Sequence, residues 1–131
     1  MNDEAAGRQE GQRQLMAKTG PFRRDEHIKS PKEISTLFKQ GKRVGIYGAK
    51  LFYKENGLSR NRIAFTLPRG YGRAVDRNRS KRCSREAYRF YRTHLNTGYD
   101  LLLLIYPGND SFHSRCGQLK TLCRKAGLMK D

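Results

Sequence analysis

The sequence predicts an α/β (α+β) sandwich, one small central sheet with helices packed on it, in the order helix, strand, strand, helix, strand, helix (α-β-β-α-β-α). Three observations predict it. Apolar residues recur at helical spacing in three separate segments. Two further segments, Tyr47 to Tyr53 and Arg62 to Leu67, alternate in side-chain character as strands do. Between the second and third helical segments, Leu101-Leu102-Leu103-Leu104-Ile105-Tyr106 is an unbroken apolar run, the pattern of a strand buried on both faces.

The first helix is read from Pro31 to Gln40. Ser30 can cap it, Pro31 suits the first helical position and Glu33 completes a capping box. Ile34, Leu37 and Phe38 share one face, and Gly41 ends the helix. In the first strand Ala49, Leu51 and Tyr53 alternate with Lys50, Phe52 and Lys54, so neither face is purely apolar. Glu55-Asn56-Gly57 is a turn, and the short link to Arg62–Leu67 argues that these two strands form an antiparallel pair. In the second strand Ile63, Phe65 and Leu67 share a face, with Ala64 and Thr66 on the other. A helix follows from about Asp76 to His94, then a strand from Tyr99 to Tyr106, broken by Pro107-Gly108-Asn109-Asp110. The last helix, Ser111 to Ala126, sets Cys116, Leu119, Leu122, Cys123 and Ala126 at helical spacing. Residues 1–20 are rich in Gly, Gln, Arg and Glu and too poor in apolar residues to order themselves, which predicts a disordered tail before one domain over residues 21–131. Met16 inside that tail offers an alternative start.

The 28 Lys and Arg against 12 Asp and Glu leave a formal charge of +16. So large a charge makes the compact state repel itself, and a polyanion offsets that repulsion. Nucleic acid is the leading partner; an anionic membrane surface and a merely solubilising surface are the rivals. No apolar stretch approaches the roughly 20 residues of a spanning helix, and the N-terminus lacks a signal-peptide block. Cys83, Cys116 and Cys123 are odd in number and form no CxxC, which points to reduced thiols in a cytoplasmic protein. His113 and Cys116 have no second ligand pair, so no zinc site is expected.

The basic helix carries the strongest functional signal. At about 100° per residue, with Asn78 at zero, Lys81, Arg82, Arg85, Arg89 and Arg92 fall within roughly 40–60°. Cys83, Ala87, Phe90 and His94 fall opposite. A solvated face would carry i,i+4 ion pairs, but Asp76 and Glu86 lie off the stripe and the like-charged neighbours repel. Phosphate binding explains the stripe, and arginine suits it because a guanidinium makes planar bidentate contacts and stacks on bases. Arg77 and Arg79 reach its two sides. Asn78 fits both an N-cap and an RNA contact. Arg69-Gly70-Tyr71-Gly72-Arg73 extends the cationic surface, its glycines serving either a turn or a close backbone approach.

From Gly72 to Ala87, the run Ala74-Val75-Asp76-Arg77-Asn78-Arg79, followed by Lys81-Arg82 and Arg85-Glu86, closely resembles the signature of the bacterial ribonuclease P protein component. The resemblance extends from about Phe22 to Leu128, with Lys32 to Val44 resembling the family's first helix and Tyr99 to Ile105 its buried third strand. It implies a sandwich whose second and third strands run parallel through a left-handed crossover containing the basic helix. It also implies a subunit that joins a large catalytic RNA, which performs magnesium-dependent removal of the 5′ leader from precursor tRNA. Magnesium would be bound mainly by the RNA; no catalytic residue, protein-held metal, membrane or obligate protein partner is implied. Arg77, Asn78, Arg79, Lys81, Arg82 and Arg85 match the RNA-binding signature, with Arg69, Arg73 and Arg89 extending it. A leader cleft between the first helix and the sheet would be lined by Ile34, Phe38, Lys50 and Phe52, Phe38 serving equally well as core packing. The sequence departs from the family's pattern at Ile34, where another cleft aromatic is usual. It departs also at Ser80 and Ser84, which replace aliphatics and predict looser helix packing, and at Pro68-Arg69-Gly70, where a Ser-Lys-Lys type run is common.

No Ser/His/Asp set, paired-carboxylate motif or metal cluster stands out, and a two-metal nuclease needs carboxylates to hold its ions. The alternatives are another small basic RNA-binding protein such as a ribosomal protein, a stand-alone nuclease, and a membrane-surface protein.

Overall fold

The computed structural model describes residues 26–68, 70, 72–106 and 111–130. The expected tail, Arg69 and the Pro107-Gly108-Asn109-Asp110 breaker lie outside these residues. The elements are α1 (Pro31–Gln40), β1 (Lys42–Ile46), β2 (Ala49–Glu55), β3 (Arg62–Thr66), α2 (Ala74–Tyr91, continued by a 3-10 turn over Arg92–His94), β4 (Tyr99–Ile105) and α3 (Phe112–Ala126). The four strands form one sheet in the order β1-β2-β4-β3.

Helix α1 starts as read. Pro31 opens it, and Ser30 Oγ accepts from the Glu33 N–H at 3.4 Å. Gly41 ends it for a steric reason. Its backbone is extended (φ −69°), and a Cβ there would lie 2.6 Å from the Leu37 carbonyl oxygen, which accepts the Gly41 N–H. Strand β1 is absent from the sequence reading. Its KRVGI sequence offers only Val44 and Ile46 as half-buried apolar residues, because it is an edge strand with little to bury. It pairs antiparallel with β2 across Tyr47-Gly48, where Gly48 supplies a φ of +91°.

Strands β2 and β3 do not pair, which corrects the expected hairpin. Strand β4 lies between them, antiparallel to β2 and parallel to β3. Stepping over one strand requires roughly 10 Å, well within reach of the Asn56–Asn61 link at about 3.3 Å per residue. The link is fastened where it crosses. Asn56 N–H donates to Gly98 O at 2.9 Å, and the buried Asn61 donates to Asn96 O and accepts from Tyr99 N–H. The parallel β3–β4 pair connected through α2 agrees with the family resemblance.

The central place of β4 follows from its side chains. Leu101, Leu103 and Ile105 enter one core with Ala49, Leu51 and Ile63, beneath α2 and α3. Leu102 enters the other with Ile28, Leu37, Phe52 and Ala64, beneath α1. Each fully buried leucine contributes about 1.5–3 kcal/mol, so an edge position for β4 would forfeit more than a hairpin turn supplies. On the α1 side, Arg62 donates to both oxygens of Asp100 (2.9 and 2.7 Å) and to Glu33 of α1 (2.7 Å), tying the helix to β3 and β4.

Candidate nucleic-acid interface

Helix α2 begins at Ala74, two residues before the sequence reading, with Arg73 at the N-cap. Gly72 precedes it at φ +139°, and Asp76 accepts from the Arg73 N–H at 3.3 Å. These groups assign the loop glycines Gly70 (φ +80°) and Gly72 to a turn. They also place Asn78 inside the helix and exposed, so it is not an N-cap.

Ser80, Ser84, Ala87 and Tyr88 are the buried side of α2. Of the residues read as its apolar stripe, only Ala87 is buried; Cys83 and Phe90 are half-buried, and His94 is exposed. The looser packing expected at the serines is not found. Both are fully buried, and Arg115 of α3, itself buried, donates to Ser80 Oγ at 3.4 Å. Phe90 meets Phe112 of α3 edge-on at 6.0 Å between centroids.

With that side fixed, Asn78, Arg79, Lys81, Arg82 and Arg85 stand exposed, together with Arg73, while Arg77 and Arg89 are half-buried. Arg92 leaves the stripe. It is held in an ion pair with Glu26 at 2.7 Å. His27 sits near the stripe's edge, where burial first, then the charges of Lys29 and Arg85, lower its pKa from 6.5. Exposed guanidinium groups on a packed helix offer phosphates planar bidentate donors.

The second candidate surface lies on the α1 side. Phe38 is 42% exposed and meets Phe52 edge-on at 4.9 Å, whereas Phe52 is only 6% exposed. Phe38 is therefore available to a stacking base, and Phe52 is the ring it rests on. Ile34 is half-buried against the same cluster. Lys50 is exposed, with its ammonium 5.8 Å from the centroid of the Tyr106 ring. The sequence reading did not place Tyr106 beside Lys50, because it stands at the end of an apolar run and looks like core.

Carboxylates are few on the cationic helix. The α2 face offers only Asp76 and Glu86, the former 3.5 Å from the Arg73 guanidinium. Among the described residues no three His, Cys, Asp or Glu side chains cluster. No helix among these residues is long and apolar enough to cross a membrane. Cys116 and Cys123 are buried, and burial pushes each thiol up to about 12.

A family model described as Ribonuclease P matches residues 22–127. The chain belongs to this family. Curated relatives named ribonuclease P protein component agree. That of Borrelia duttonii is 38% identical over 105 residues, covering 78% of this chain and 89% of the relative. That of Natranaerobius thermophilus is 36% identical, covering 79% and 91%. The fold is that of the ribonuclease P protein of Staphylococcus aureus (TM-score 0.72, 18% identity, 80% of this chain and 98% of that one). It is equally that of Thermotoga maritima (TM-score 0.68, 23% identity, 76% and 96%). Within the ribonuclease P protein family, the cationic α2 face is consistent with an RNA-binding role.

Proposed function

We propose that this chain is the non-catalytic protein subunit of ribonuclease P, acting in the cytoplasm on precursor tRNA. In this reading α2 and its preceding loop dock on the catalytic RNA through Arg69, Arg73, Arg77, Asn78, Arg79, Lys81, Arg82, Arg85 and Arg89. The cleft of Ile34, Phe38, Lys50 and Phe52 receives the 5′ leader, Phe38 stacking on a base. In this reading the RNA performs the hydrolysis and holds the magnesium.

The observation that carries the reading is the row of exposed cations Arg79, Lys81, Arg82 and Arg85 on a helix whose opposite side is fully packed. Like charges at i,i+4 cost a few tenths of a kcal/mol per pair, and phosphates reverse that sign. A stacked leader base adds roughly 1–3 kcal/mol. The test is reconstitution with the catalytic RNA at physiological magnesium. The protein should restore cleavage of precursor tRNA at the mature 5′ end. No stimulation at any protein concentration would overturn the reading, as would cleavage by protein free of RNA.

A further inference from the structure

Helix α3 carries a residue that its own packing does not explain. Gly117 lies mid-helix, is exposed, and a Cβ there would meet nothing within 4 Å. Glycine is the least favourable residue in a helix interior after proline, and here it serves neither a turn nor a close approach within the chain. Its neighbours on the outer face share one sign. At about 100° per residue, His113, Lys120, Thr121 and Arg124 lie within roughly 60° of it. Helix α3 contains no Asp or Glu, and none of Lys120, Arg124 and Lys125 is in an ion pair among the described residues.

The β1–β2 turn lies against α3 on the side of Gln118 and Lys125, about 80–100° around the helix from Gly117. Lys125 donates to Gly45 O at 3.1 Å, and a Cβ on Gly48 would come within 2.7 Å of the Gln118 amide. The residue before Gly48 is Tyr47, which is 100% exposed. A fully exposed aromatic therefore stands in the turn that packs against α3, about a quarter turn around the helix from the bare backbone that Lys120 and Arg124 flank. The cations call for a polyanion, and an exposed aromatic ring adds a stacking face that favours a nucleic-acid strand over an acidic protein. A nucleic-acid strand needs a π-face, cations and room for its backbone.

We propose that the outer face of α3 together with Tyr47 is a second RNA-contact surface, distinct from the α2 face and the α1 cleft. A single-stranded segment passes with its sugar–phosphate backbone over Gly117. Lys120 and Arg124 bind its phosphates, and Tyr47 stacks on one unpaired base.

The test separates fold from binding. Gly117→Ala and Gly117→Gln both raise the thermal midpoint of the full chain. Gly117→Gln, whose side chain fills the approach, weakens binding of an oligouridylate by about five-fold. Tyr47→Ala weakens it by about ten-fold while Tyr47→Phe retains it, as stacking without the hydroxyl requires. A 4-thiouridine oligomer crosslinks to residue 47 on irradiation. Undiminished affinity in Gly117→Gln and Tyr47→Ala, or no crosslink at residue 47, overturns the proposal. Arg82→Ala is the control for the α2 face. If it alone weakens binding, the second surface fails and the ribonuclease P reading stands. If the α3 variants weaken binding but reconstitution with the catalytic RNA fails, the reverse holds.

Discussion

Ser80 and Ser84 set how α2 meets α3. Both side chains are fully buried, yet they differ in partners. Ser80 Oγ accepts from the buried Arg115, which an aliphatic residue could not do. Ser84 Oγ is buried with no hydrogen-bond partner among the described residues. An orphaned buried hydroxyl costs about 1–3 kcal/mol, and alanine is also the better helix former. Ser84→Ala should therefore raise the urea midpoint by an amount equivalent to about 1 kcal/mol. A lower midpoint would mean that the hydroxyl is satisfied in solution. On the opposite side of the helix, Arg82 is exposed. Arg82→Ala should reduce the slope of log affinity against log salt by about one unit for the catalytic RNA. An unchanged slope would show that Arg82 does not touch phosphate.

At the scale of elements, helix α1 and strand β4 behave as their sequences say, whereas strand β1 and the β2–β3 link do not. Helix α1 runs from Pro31 to Gln40 as its cap and its face predict, and β4 is buried on both faces. Strand β1 is invisible in sequence because an edge strand covered on one side needs few apolar residues. The β2–β3 hairpin is suggested by a short link, but local chain length sets only the relative direction, and burial of β4 sets the neighbours. The segment before α1 adds a further pairing. His27 bridges to Ile63 of β3, and Ile28 N–H donates to Ile63 O at 3.0 Å. The fold lowers the His27 pKa below 6.5, so between the two values the unfolded chain holds more protons and stability rises with pH. The contribution is neutral above about 6.5, grows into a penalty as the pH falls from there, and is complete below the folded value. The urea midpoint should drop below about pH 6.5, and His27→Gln should flatten that part of the curve. An unchanged pH profile in the variant would remove His27 from the account.

For the whole molecule, charge and packing oppose one another. The net charge of +16 repels itself, and the described ion pairs that counter it gather at Arg62 with Glu33 and Asp100, at Arg92 with Glu26, and at Arg73 with Asp76. Salt screens exposed charges beyond about 10 Å at 0.1 M and partly buried pairs much less. Added monovalent salt should thus raise the thermal midpoint of the free protein while weakening its RNA complex. A midpoint that falls with salt would show that the ion pairs outweigh the repulsion. Saturating RNA should raise the midpoint further, by the equivalent of about 2.7 kcal/mol at a hundred-fold excess over the dissociation constant.

The sequence by itself determined the helices, the strand that must be covered on both faces, the cationic stripe of α2 and the family. Those properties are written in neighbouring residues, as caps, periodicity, charge and motif spacing. Tertiary structure alone decided that β4 separates β2 from β3, that Arg92 pairs with Glu26 instead of joining the stripe, and that Phe38 is open while Phe52 lies beneath it. It also packed the Tyr47-Gly48 turn against the Gln118 side of α3. Each of these depends on which distant segment covers a side chain, and an apolar residue records that it is covered but not by what.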